Sequence, residues 1–131
     1  MKKQAESWLE AARSDLIVIE EIVNREDVAH MVAFHSQQVI EKSYKAALEE
    51  HNQVIPKTHN IITLSKKVEK IIEIEIDEDI VDQLNDLYID SRYPTDIGFL
   101  PDGKPSVEKA KMFYKYASET FEVINKNIKE K

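Results

Sequence analysis

The run VAHMVAFHSQQVIEKSYKAALEE, Val28 to Glu50, contains neither glycine nor proline and is apolar on more than one side. Wound as a helix, Val28, Val32, Ala33, Phe34, Val39, Ile40, Tyr44, Ala46, Ala47 and Leu48 cover a wide arc. A helix with a single apolar stripe lies on a surface, whereas one apolar over so wide an arc must be surrounded. The run therefore predicts the central helix of a bundle, and the flanking sequence has to supply the helices around it.

Upstream, Ala5, Trp8, Leu9, Ala12, Leu16, Ile19, Ile22 and Val23 recur at helical spacing and predict a first helix over about Lys3 to Val23. Ile17 and Val18 fall off that stripe and are free to meet a neighbour. The turn NRED, Asn24 to Asp27, follows, with Asn24 placed to close one helix and Asp27 to cap the next. Downstream, Pro56 stops helix continuation and biases Ile55 towards an extended backbone. Thr58 is the expected N-cap of a third helix reaching about Ile72. IEIEI, Ile72 to Ile76, alternates as a strand does but has no partner run, so it reads as an extended linker or a fraying helix end. Asp77 is placed to cap a fourth helix, Glu78 to about Asp90. A fifth, Val107 to about Lys129, starts at Pro105 or Ser106, and its apolar stripe is Val107, Ala110, Phe113, Ala117, Phe121, Ile124 and Ile128.

The expected fold is all-α, a five-helix up-and-down bundle forming one domain over residues 1–131. Its one long connection runs from about Ser91 to Pro105. The stretch Asp90 to Ser106 holds both glycines and three of the four prolines of the chain. A long connection in so small a bundle is more often functional than incidental.

Composition narrows the function. The chain has 131 residues, 42% hydrophobic and 33% charged, enough for one core with solvated helix faces. The net charge of −7 argues against sequence-independent grip on duplex nucleic acid, which needs a basic face. No apolar run is long enough to span a bilayer, the two N-terminal lysines are not followed by an apolar stretch, and there is no cysteine. A cytoplasmic protein without a membrane partner is the expectation. No cofactor is implied, because phosphate-binding glycine loops and nucleophile elbows are absent. Nor is a metal, because no two of His30, His35, His51 and His59 stand three or four residues apart.

What remains is a set of cations and imidazoles beside aromatics. His35 and Lys42 are two turns apart and share a face, with Gln38 between them and Lys45 one turn beyond. Glu41 is a poor partner for Lys42, because adjacent side chains on a helix diverge by about 100°. Such a stripe on a central helix is either its solvated face or a polar groove receiving an anion. His59 stands at the start of the third helix, where amides also favour anions. Arg92 and Tyr93 stand at the end of the fourth, where Pro94 forces a corner. A guanidinium beside an aromatic suits phosphate or base recognition. The candidate ligand residues are therefore His35, Lys42, Lys45, His59, Arg92 and Tyr93, with His35, His59 and Arg92 the candidates for any catalysis.

Taken together, FHSQQVIEKSYKA (Phe34 to Ala46), IPKTHNI (Ile55 to Ile61) and SRYP (Ser91 to Pro94) resemble, in order and spacing, the HEPN family of small helical domains. The resemblance covers nearly the whole chain. It implies a five-helix fold, a homodimer, and a separately encoded minimal nucleotidyltransferase as partner in a two-component, toxin–antitoxin-like system. It also implies a nucleotide or other phosphate-bearing ligand. The family's metal-independent RNases carry an R-x(4–6)-H motif whose arginine steadies phosphate charge while histidine moves a proton. Here no histidine follows Arg92; Arg25 and His30 fit the string in REDVAH but sit in the turn between the first two helices. That departure favours a binding module. The alternatives are an RNase toxin acting on RNA through His35 or His59, and a dimeric interaction protein using Ile17, Val18, Met112 and Tyr116.

Overall fold

The computed structural model describes residues 1–91 and 105–130. Within them the chain forms five α-helices and no strand: α1 (Lys3–Ile22), α2 (Ala29–Glu50), α3 (Ile61–Val68), α4 (Glu78–Ser91) and α5 (Val107–Lys129). A short 3-10 turn, Glu26–Val28, leads into α2.

The wide apolar arc of α2 has the consequence expected of it. Val32, Val39, Ile40, Tyr44, Ala46 and Ala47 are fully buried, and α2 packs against all four other helices. The Lys2 amide donates to the Glu50 carboxylate while Asp15 meets Lys42, so α1 runs antiparallel to α2. Phe34 meets Tyr88 near the end of α4, so α4 runs antiparallel to α2 as well. His51 meets Asn127, and Tyr44 faces Tyr116, so α5 runs parallel to α2. The long helices thus alternate in direction along the chain, the up-and-down order that short connections impose.

Three local expectations need correction. Asp27 does not cap α2: its carboxylate accepts from the Arg25 guanidinium at 2.8 and 3.1 Å, and the N-cap position falls to Val28. The third helix is shorter than its periodicity suggests. Asn60, not Thr58, is its cap, accepting from the amides of Ile62 and Thr63, while the Thr58 hydroxyl holds the Asn60 amide. It also stops at Val68, beyond which Ile72, Ile74 and Ile76 reach the core from non-helical chain. Residues 73–77 lie outside any helix and alternate in burial, with Glu73, Glu75 and Asp77 exposed and Ile74 and Ile76 half-buried. The other caps are as expected: Asp77 accepts from the Ile80 amide and Ser106 from that of Lys109.

The end of α2 is set by a device absent from the sequence reading. The amide of Gln53 donates to the carbonyl of Leu48 and that of Asn52 to Glu49, while Asn52 has φ of 60°. This is a Schellman ending with asparagine in the left-handed position. The helix has therefore closed before Pro56 is reached.

Candidate functional site

The polar side chains of α2 are held by two carboxylates, one from outside the helix and one from within it. Asp15 of α1 is nearly buried. Its Oδ1 accepts from Nδ1 of His35 at 2.8 Å and its Oδ2 from Nζ of Lys42 at 2.7 Å. His35 and Lys42 do share a face, and what they share it for is this one carboxylate.

The second cluster is centred on Glu41, whose side chain is 4% exposed. Lys45, one turn further along, donates to it at 2.9 Å, and the orientation with glutamate preceding lysine by four residues is the favourable one. The Lys45 ammonium also lies 5.3 Å from the centre of the Trp8 ring. Gln37 donates to Glu41 and to the carbonyl of His59. His59 closes the cluster: its Nδ1 lies 3.0 and 3.1 Å from the two oxygens of Glu41. A carboxylate only accepts, so Nδ1 carries the hydrogen. The imidazole is 56% exposed, which leaves Nε2 as the nitrogen facing solvent.

An aromatic row joins the two clusters. The His35 ring stands edge-on to Phe34 at 5.3 Å, Phe34 meets Tyr88 at 5.3 Å, and Tyr88 meets His59 edge-on at 5.8 Å. Tyr88 lies in the last turn of α4, held beside the start of α3 by Asn85, whose side chain accepts from the amide of Ile61. Within this face the two carboxylates of Asp15 and Glu41 offset the two ammoniums of Lys42 and Lys45.

Of the residues singled out in the sequence, His35, Lys42, Lys45 and His59 come together across α2 and the start of α3. Arg92 and Tyr93, which follow α4 directly, lie outside the described residues. Arg25 stands apart in the turn before α2, its guanidinium on Asp27. Sequence reasoning missed Asp15 and Glu41, the two residues that organise the face. Asp15 left a trace: it falls on the apolar stripe of α1, three residues after Ala12 and four before Ile19. Glu41 left one as well, in its four-residue spacing to Lys45. Among the described residues no group of three or more histidines and carboxylates is arranged to hold a metal ion, and no helix is long and apolar enough to cross a membrane.

The sequence matches the HEPN domain family over residues 5–128. The chain belongs to the HEPN family. The crystal structure of TT1696 from Thermus thermophilus resembles this HEPN chain with a TM-score of 0.69 at 20% identity, covering 95% of this chain and 98% of that one. At that identity the likeness establishes a shared fold. No curated protein matches the sequence closely enough to count as a relative.

Proposed function

We propose that this HEPN chain is a binding module for a nucleotide or another phosphate-bearing ligand, received on the face where α2, the start of α3 and the end of α4 meet. It acts as a dimer beside a separately encoded minimal nucleotidyltransferase, in a toxin–antitoxin-like pair. The observation that carries the ligand reading is the exposed His59 imidazole, anchored through Nδ1 on buried Glu41 and touching Tyr88. Anchoring fixes the direction of Nε2, so that a ligand meets a preset donor or acceptor and orders less on binding. The Phe34–Tyr88 pair offers a base an aromatic surface. Arg92, four residues after Tyr88 in the chain, would supply the forked donor for phosphate. Ile17, Val18 and Met112 are exposed apolar side chains available to a second copy. Tyr116, once a candidate for the same interface, is half-buried against the core.

Titration calorimetry with ATP, GTP and their diphosphates tests the ligand. His59→Ala, which removes an exposed ring, should weaken binding about tenfold or more, the value of a charge-assisted hydrogen bond. Absence of heat with every nucleotide, or unchanged affinity in His59→Ala, removes the ligand reading. Co-purification with the nucleotidyltransferase tests the partner separately.

The same dyad favours a second reading, metal-independent RNA cleavage. A carboxylate-anchored imidazole with its other nitrogen in solvent has the geometry of a general base. RNA left intact by the pure dimer after prolonged incubation excludes it. Cleavage abolished by His59→Ala would establish it.

A further inference from the structure

The non-helical segment 73–77 carries backbone groups that have no partner among the described residues. The Ile72 amide donates to Val68, and the Asp77 amide to the hydroxyl of Tyr116 at 3.0 Å. Between these two anchors, among the described residues, the N–H and C=O groups of Glu73 to Ile76 form no hydrogen bond. One open groove runs along the segment and a second touches it at Ile76. On the α5 side runs one of about 640 Å³, walled by Tyr116, Glu119 and Val123. On the α3–α4 side lies a smaller one of about 180 Å³ that also reaches Ile76. Tertiary contacts nonetheless anchor the segment, because Ile74 and Ile76 pack on the core while Glu73 and Glu75 are exposed. The alternating burial is the pattern of one strand at a sheet edge, and its backbone groups are unpaired among the described residues.

We propose that this edge, with the groove on its α5 side, is a docking site for an extended segment of a partner protein in which basic and apolar residues alternate. Backbone pairing would supply affinity and side-chain chemistry the selectivity, as in other strand additions to an open edge. Charge identifies the occupant. Glu73, Glu75, Asp77 and Glu119 all line the groove, and no lysine or arginine does among the described residues. Opposite charges across a strand pair stabilise it and like charges oppose it. A second copy presenting its own 73–77 segment would set glutamate against glutamate, and nucleic acid would bring phosphate to carboxylates. A strand alternating lysine or arginine with valine or isoleucine satisfies every wall, its apolar side chains lying on exposed Val123. The site shares no residue with the His35–His59 face and does not depend on the function assigned there.

The test uses the full chain and three end-capped peptides: Lys-Val-Lys-Val-Lys, the same peptide N-methylated on alternate amides, and Glu-Val-Glu-Val-Glu. Nitrogen–proton NMR spectra are followed to millimolar peptide. The plain lysine peptide should shift the amides of residues 73–76 together with those of Tyr116 and Glu119. It should bind at least about tenfold more tightly than either other peptide. The double substitution Glu73→Lys with Glu75→Lys, at two exposed positions, should invert the preference towards the glutamate peptide. The proposal is overturned if no amide in the segment shifts, if the N-methylated peptide binds as well, since charge alone would then explain the attraction, or if the glutamate peptide competes equally. Because the three peptides decide on the wild-type chain, the outcome stands even where the double variant is unstable.

Discussion

Glu41 bears more of this structure than its place beside Lys42 suggests. It is buried and receives Lys45, His59 and Gln37 together. Removing its charge strands the Lys45 ammonium, which is 8% exposed and has no other ion-pair carboxylate among the described residues. Glu41→Gln should therefore cost about 3 kcal/mol in urea unfolding, as losing one member of a buried pair does. Replacing both members, Glu41→Met with Lys45→Met, should recover most of that loss, because the cost lies in the stranded charge and not in the missing attraction. His59→Ala should change stability by about 0.5 kcal/mol or less, its ring being more than half exposed. That contrast separates the residue that builds the face from the residue proposed to use it. The cations of the site were legible from spacing along α2, since a helix brings residues four and seven apart to one side. Asp15 was not, because its partners lie 20 and 27 residues away and only the packing of α1 on α2 brings them together. Arg92 and Tyr93 lie outside the described residues, so the corner expected of them stays a reading of the sequence.

At the scale of elements, helix interiors were plain in the sequence and helix ends were not. The stripes of α1, α2 and α5 emerge nearly residue for residue, since periodicity reports burial directly. The ends of α3 were misplaced for two different reasons. At its start two capping residues compete, and Asn60 wins because it immediately precedes the first buried position, Ile61. Asn60→Ala should cost about 1 kcal/mol in thermal or urea unfolding, the usual value of an N-cap. At its finish, Ile71 and Ile72 continue the helical pattern, yet a tertiary demand overrides it: Ile74 and Ile76 must also be half-buried. The end of α2 shows a third case. Asn52 occupies the left-handed region, which asparagine tolerates better than other residues with a Cβ and glycine better still. Asn52→Ala should lower stability by about 1 kcal/mol and Asn52→Gly should leave it unchanged or raised. Equal losses in both variants would assign the effect to the asparagine side chain and not to its backbone angle.

At the scale of the whole molecule, the centre of the bundle is a tyrosine and not an aliphatic residue, and that ties global stability to alkaline pH. Tyr44 is fully buried on α2, its hydroxyl facing that of Tyr116 without a well-aligned hydrogen bond. Burial, reinforced by Tyr116 and Glu69, pushes the phenol well above its ordinary value of 10.0. Burial raises Tyr116 also. In the unfolded chain both phenols ionise at about 10. Above that pH the unfolded state binds fewer protons than the folded one, so stability falls as pH rises. Below it both states keep their protons, and the contribution is constant. Between about pH 10 and 11, Tyr44 alone should remove up to ~1.4 kcal/mol of unfolding free energy. Phenylalanine fills the same space without a proton to lose. Tyr44→Phe should therefore unfold within about 1 kcal/mol of the wild type at pH 8, where only a poorly aligned hydroxyl is lost. It should then become the more stable of the two relative to that baseline as pH passes 10. Urea titrations of both chains at pH 8, 10 and 11 measure the difference directly. Groups remote from Tyr44 contribute alike in both chains and cancel in the comparison, whereas Tyr116, which faces the Tyr44 hydroxyl, changes with it and belongs to the measured difference. Parallel losses of stability in the two chains would mean that the Tyr44 hydroxyl is hydrated, and that the core around α2 is less closed than its packing indicates.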